Sequence, residues 1–384
     1  MEFAFATSNR ILFGDGRVGE AGEISAEYGS KAFVVTGSTP ERAAPLIESL
    51  QSRGILHTEF PVSQEPTIQV VIEGLEQARA FEPDVVIGIG GGSVVDTGKS
   101  IAVLLTNGDD PLDFLEVIGR GKPLQNPSKA YIAIPTTSGT GSEVTRNAVL
   151  ASEEHQVKVS LRSAFMLPDV ALIDPSLTHN VHPHVTASTG LDALTQVIEP
   201  YISRWRNPMT DGFCLEGISR GAHALYQAYV DGDDASARED MAVTSMMGGL
   251  ALANAGLGAV HGFAGPFGGM FHAPHGAICA ALLPHVLEIN RKALETRAPE
   301  DEALSRLEDI ARLVTPDPSA SPQEGIIWIQ SLVETLEIPS LRTYGFDRGD
   351  FPDVIEKAKV SSSMRGNPIE LTESELEEIL DLAY

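Results

Sequence analysis

Short apolar runs alternate with helical periodicities through the first half of the chain. Ala32-Phe33-Val34-Val35-Thr36 is a β-branched run and predicts a buried strand, followed by a helix from about Pro40 to Arg53. Asp84 to Ile89 repeats the pattern, with a helix from about Ser93. Tyr131 to Pro135 and Val170 to Ile173 predict two more strands. Strands alternating with helices point to a parallel sheet covered on both faces. Beyond His182-Pro183-His184 the periodicity is helical, with segments near 184–203, 210–230, 237–257 and 276–295. The expected fold class is therefore α/β plus all-α: a Rossmann-like parallel-sheet domain over 1–180 and a helical domain over 181–384.

Met241 to Val260 carries no charge and is long enough to span a bilayer. Its Gly and Ala content, the polar Thr244, Ser245 and Asn254, and the lack of basic flanks predict a buried, closely packed helix instead. The first residues show neither a basic region nor a long apolar one, so no signal peptide is expected.

Charge narrows the partners. Lys and Arg total 27 against 53 Asp and Glu, a net −26 in 384 residues. Such a surface repels phosphate backbones and anionic lipid, so neither nucleic acid nor a membrane surface is expected. Two cysteines, Cys214 and Cys279, exclude a disulfide framework and suit a reducing, cytoplasmic setting.

Candidate chemistry lies where strands end. Ile87-Gly88-Ile89-Gly90-Gly91-Gly92-Ser93 follows a strand and opens a helix. Glycines let the backbone approach a ligand, and the helix N-terminus favours an anion such as a pyrophosphate. The same spacing also serves a tight turn, and it is not the GxGxxG fingerprint. Pro135-Thr136-Thr137-Ser138-Gly139-Thr140-Gly141-Ser142-Glu143, also after a strand, offers hydroxyls where open α/β sheets bind ligands.

In the second half, Asp192 and Gln196 stand at i, i+4 on one helix face, and His261 and His275 lie fourteen residues apart. A carboxylate with imidazoles is a donor set for iron(II) or zinc, although histidines also fill core and capping positions. Phe263, Phe267, Met270 and Phe271 are candidates either for an apolar substrate wall or for helix core.

These segments, in this order and over nearly the whole chain, resemble the iron-containing (group III) alcohol dehydrogenases. The resemblance rests on Gly90 to Lys99, Pro135 to Thr145, Gly190-Leu191-Asp192-Ala193-Leu194, and His261 to His275. It implies hydride transfer between an alcohol and its aldehyde or ketone, NAD or NADP as cofactor, a divalent Fe2+ or Zn2+, a homodimer, and an active site in the cleft between the two domains. By resemblance, Gly90, Gly91, Gly92 and Ser93 form the pyrophosphate loop. Asp96, Thr136, Thr137, Thr140 and Lys158 contact the cofactor, and Asp192, His261 and His275 ligate the metal and serve catalysis.

Three departures stand out. Gln196 occupies a position where the family usually has His, so the fourth ligand is either its amide or water. Gly265 replaces a family His implicated in proton relay, leaving His272 as the nearest substitute by sequence. Gly37, followed by Ser38, stands where an Asp often binds the ribose hydroxyl, which opens the site to a 2′-phosphate. The Gln196 departure keeps open a metal-independent, maleylacetate-reductase-like enzyme acting on an acidic keto or enoyl substrate. A dehydroquinate-synthase-type lyase and a binding protein that retains the fold are more remote alternatives.

Overall fold

The computed structural model describes residues 2–63, 65–155 and 157–384; Met1, Gln64 and Gln156 lie outside the described residues. The chain divides into two compact units, one of residues 6–137 and 141–179, the other of residues 1–5, 138–140 and 180–384. The segment Ser138–Thr140 therefore groups with the helical unit, while Thr136 and Thr137 stay with the sheet.

The α/β unit holds strands Arg10–Phe13 (β1), Lys31–Thr36 (β2), Leu56–Pro61 (β3), Val85–Gly90 (β4), Ala130–Pro135 (β5), Asn147–Ser152 (β6), Val157–Arg162 (β7) and Val170–Ile173 (β8). Six of them form a parallel sheet in the order β1-β8-β5-β4-β2-β3, and β6 and β7 pair as an antiparallel hairpin. The helices are Ala21–Ala26 (α1), Ala44–Ser52 (α2), Ile68–Phe81 (α3) and Gly92–Asn107 (α4). Strand alternation separates two cores. Val85, Ile87 and Ile89 of β4 pack with Ile24, Leu46 and Leu50 of α1 and α2. Val86 faces the other way, with Phe33, Tyr131 and the α4 residues Val95, Ile101 and Ala102. Each such fully buried aliphatic side chain is worth about 1.5–3 kcal/mol.

The predicted strands are all present, but β1, β3 and the β6–β7 hairpin were not anticipated. The helix expected from Pro40 begins as a 3-10 turn over Pro40–Ala43 before α2.

The helical unit contains Pro183–Ile202 (α5), Pro208–Val230 (α6), Ala235–Ala255 (α7), Ala259–Phe271 (α8), His275–Arg297 (α9), Glu302–Val314 (α10), Pro322–Thr335 (α11), Phe351–Val360 (α12) and Glu373–Ala383 (α13). The charge-free stretch 241–260 is not one helix. It breaks at Gly256–Gly258, and α7 and α8 meet at 99°. Gly256 takes φ +66, and a Cβ there would lie 2.6 Å from the Trp205 ring, so the corner requires glycine. Among the described residues no single helix is long and apolar enough to cross a membrane, although the bent pair α7–α8 meets that test by length and composition.

Candidate functional site

Helix α5 starts where the His182 side chain accepts from the His184 N–H and Pro183 presets the first turn. Asp192, Gln196 and Glu199 follow at i, i+4 and i+7, so all three share one face. That face is buried, with each residue no more than 3% exposed. The 99° corner then aims the start of α8 at it. Glu199 Oε1 accepts from the Val260 N–H at 2.7 Å and Asn367 Oδ1 accepts from the Ala259 N–H at 3.1 Å. These two side chains supply the acceptors that the capless Gly258 lacks. His261 follows directly, and its Nδ1 lies 2.7 Å from Glu199 Oε2.

The opposite ring nitrogen, His261 Nε2, points to Asp192 Oδ1 at 3.3 Å. His275, the first residue of α9, brings its Nε2 to 3.8 Å from the same oxygen. Cys279, one turn further along α9, joins them. The donor atoms of Asp192, His261, His275 and Cys279 all lie within 4.8 Å of one another.

Asp192 Oδ1 is buried without a hydrogen-bond partner among the described residues. A buried carboxylate oxygen with no hydrogen bond, facing two imidazole nitrogens, suits a bound cation. Burial opposes ionisation of Asp192, but His275 and His261 outweigh it and hold the carboxyl below its ordinary range. Burial works against the charged form of His261 too, yet Cys279, Asp192 and Glu199 raise its basicity well above the usual imidazole. The Cys279 thiol is pushed up to about 12 by burial. The residues present therefore fit a divalent ion.

Gln196 sits in this wall with its Nε2 donating to the Gly139 carbonyl at 2.8 Å. His272 is not part of the cluster. It is exposed and ends α8 in the left-handed conformation, φ +52, ahead of Ala273-Pro274. Gly265 is open: a Cβ there would meet nothing within 4 Å. Phe263 and Phe267 are fully buried, and Phe267 packs with Phe271 and Phe346, so the core reading of these rings holds.

In the α/β unit, Gly91 is the N-cap of α4, and no side chain caps the helix. Gly90 is required by packing, because a Cβ there would lie 2.5 Å from Val94. A Cβ on Gly91 would come 3.4 Å from Thr137 Oγ1, so the loop passes close under the Thr136–Thr137 segment. The Thr136 N–H donates to the Gly90 carbonyl at 2.9 Å and ties the two segments together. The uncapped start of a sixteen-residue helix beside glycines and hydroxyls is chemistry for an anion.

Two motif residues are engaged by the protein itself. Asp96 accepts from Ser142 Oγ and from the Val149 N–H, the latter at 2.9 Å. Lys99 is fully buried, with Nζ donating to Ser142 O at 2.7 Å, Asn147 O at 2.8 Å, Ser142 Oγ at 3.0 Å and Thr145 Oγ1 at 3.1 Å. Both clamp the 142–149 segment onto α4. Lys158, on β7, is not solvated: its side chain is 7% exposed and pairs with Glu65 at 3.1 Å. Gly37 follows β2 with room beside it, the nearest atom to an added Cβ being Val94 Cγ2 at 3.9 Å. Ser38 is exposed.

Sequence reasoning missed Glu199 and Cys279. The signals were the seven-residue step from Asp192 and the four-residue step from His275, which place each on an already marked helix face.

The chain is similar to known proteins over nearly its whole length. The family model for the iron-containing alcohol dehydrogenases matches residues 8–175, and that for the C-terminal part of the same family matches residues 186–384. The chain is 36% identical to alcohol dehydrogenase 4 of Saccharomyces cerevisiae, covering 97% of this chain and 96% of that one. It is 34% identical to 1,3-propanediol dehydrogenase of Klebsiella pneumoniae, covering 100% and 99%. Among solved structures, a 1,3-propanediol oxidoreductase superposes with a TM-score of 0.92 at 33% identity over 100% of both chains. The alcohol dehydrogenase from Oenococcus oeni gives 0.92 at 32% identity, again over 100% of both.

Proposed function

The chain belongs to the iron-containing alcohol dehydrogenase family, and from that membership we propose how its residues divide the work of an NAD(P)-dependent alcohol–aldehyde oxidoreductase. Residues 1–180 handle the cofactor and residues 181–384 hold the ion. NAD(P) carries the hydride, and the divalent ion supplies Lewis acidity at the alcohol oxygen.

Asp192, His261 and His275 hold the ion, and Glu199 orients His261 by accepting from its Nδ1–H. That arrangement exposes Nε2 as the donor and fixes the ring. Gly90, Gly91, Gly92 and Ser93 receive the pyrophosphate on backbone N–H groups at the start of α4. Thr136, Thr137 and Thr140 offer hydroxyls to the cofactor. Lys158, its side chain 7% exposed and paired with Glu65, reaches the cofactor by exchanging that carboxylate for a cofactor oxygen. Asp96 acts on the cofactor indirectly, by holding the segment that follows Thr140. His272, exposed at the end of α8, is the remaining imidazole of its segment and exchanges the substrate proton with solvent.

Gly37 leaves space without negative charge beside β2, and Ser38 adds a hydroxyl, which supports use of NADP(H). The substrate is a small alcohol or aldehyde. With two cysteines, both buried and free, the protein is read as cytoplasmic, and its family membership supports a homodimer.

One observation carries the metal assignment: the buried Asp192 Oδ1, which has no hydrogen bond among the described residues and is faced by two imidazole nitrogens. The test is metal content per chain on protein made anaerobically with iron and zinc supplied. The expected value is about one ion per chain, lost in His275→Ala. Full metal content and turnover in His261→Ala would refute the assignment.

A further inference from the structure

Resting on the metal reading above, we propose that the fourth protein ligand of the ion is the Cys279 thiolate and not the Gln196 amide. Cys279 Sγ lies 3.8 Å from His261 Nε2 and 3.7 Å from His275 Nε2. Asp192 Oδ1 lies 3.3 Å and 3.8 Å from the same two nitrogens. Nitrogen and oxygen donors at about 2.0–2.1 Å and sulfur at about 2.3 Å from a tetrahedral centre stand about 3.3–3.6 Å apart. The four spacings depart from those edges by less than about half an ångström, so a small inward movement of the side chains closes the shell.

Ordinary core packing explains the cysteine less well. A thiol has one weak S–H to donate, and here two imidazole nitrogens and a carboxylate crowd around it. Three groups converging on one weak donor make a poor hydrogen-bond arrangement and a good cation shell. Gln196, by contrast, spends its amide N–H on the Gly139 carbonyl, and its oxygen is a neutral, weaker donor than thiolate. On binding, the Cys279 S–H bond breaks, a sulfur–metal bond forms and the proton leaves to solvent. A sulfur donor selects zinc or cobalt over magnesium or manganese.

Cobalt(II) is the probe, because thiolate coordination gives it a charge-transfer band in the near ultraviolet. The full-length protein, stripped by chelator, is titrated anaerobically with Co2+. The expected result is one cobalt per chain and a charge-transfer band that persists in Gln196→Ala and in Cys214→Ala and is lost in Cys279→Ser. One cobalt per chain without the band, or a band that survives Cys279→Ser, overturns the sulfur ligand and leaves the metal centre standing. Failure to bind cobalt overturns the metal centre itself and the sulfur ligand with it. Absence of the band in the cobalt-loaded unaltered protein overturns the sulfur ligand even where a variant does not fold.

Discussion

Glu199 Oε2 lies 2.7 Å from His261 Nδ1, and the other oxygen of the same carboxylate accepts from the Val260 N–H. One side chain thereby fixes the start of α8 and the rotation of its imidazole. Glu199→Gln keeps the volume but has one amide oxygen for two donors. Metal affinity is expected to fall about 10–100-fold, the usual penalty for losing a carboxylate behind a ligating histidine. Chelator competition reads it, and an unchanged dissociation constant would show that Glu199 does not orient the ring.

Glu143 is 2% exposed, and burial raises its carboxyl to about 7, against the restraint of its own backbone N–H and of Lys99. The folded protein therefore holds a proton that the unfolded chain releases near 4.5. The resulting stability is complete below the unfolded value and is lost as pH rises through the folded one, on the order of 3 kcal/mol. Glu143→Gln removes that slope. Denaturant midpoints of the two proteins, compared from acid to neutral pH, should diverge progressively in favour of the variant. Parallel profiles would place Glu143 in a wetter setting. Lys99, lowered by burial to about 8 while Asp96 and Glu143 pull upward, works in the opposite direction above that pH. There the unfolded chain binds more protons, and stability rises with pH.

Tyr131 passes between two glycines. A Cβ on Gly88 would lie 2.4 Å from its hydroxyl and one on Gly98 2.8 Å from it, while that hydroxyl donates to the Val95 carbonyl at 2.7 Å. Gly88→Ala is expected to cost about 1–3 kcal/mol by overpacking. Tyr131→Phe alone loses one hydrogen bond, about 0.5–1.5 kcal/mol. In the double variant the clash with the hydroxyl is gone and only the ring carbon at 3.3 Å and Val94 O at 3.4 Å remain close. The combined loss should fall short of the sum by 0.5 kcal/mol or more, roughly the coupling found between residues in contact. Additive losses in chemical denaturation would locate the strain elsewhere.

What the sequence showed, and what it hid, follows burial. The interior strands β2, β4, β5 and β8 are apolar on both faces and read directly from their β-branched runs. β1 and β3 lie at the two edges of the sheet, and Leu-His-Thr-Glu-Phe-Pro carries too much polarity to resemble them. The break between α7 and α8 was marked by Gly256 and Gly258, but the uncharged run on either side outweighed it. Asp192, His261 and His275 were drawn together by the family resemblance and not by spacing alone, and the fold brings their donor atoms within 4.8 Å of one another. Glu199 gains its meaning only from the 99° corner that carries His261 back to it, a tertiary fact that no local pattern holds. Cys279, in an apolar helix, resembles any core cysteine until the imidazoles around it are seen.

Gly37 is not needed for backbone reasons, since its φ lies outside the left-handed region and the nearest neighbour of an added Cβ is 3.9 Å away. The position follows β2, and an added Cβ there meets only ordinary van der Waals contact. Gly37→Asp is therefore expected to leave the melting temperature unchanged. Its charge would repel a 2′-phosphate while offering the ribose hydroxyl of NAD an acceptor. Like-charge juxtaposition in a binding site costs several kcal/mol, so kcat/KM for NADP(H) relative to NAD(H) should fall by roughly 100-fold. The alcohol substrate should keep its KM, because the change lies in the α/β unit and the Asp192, His261, His275 and Cys279 cluster belongs to the other one. An unchanged cofactor ratio in a stably folded Gly37→Asp protein would mean that the 2′-phosphate is read elsewhere, with Ser38 the next position to substitute.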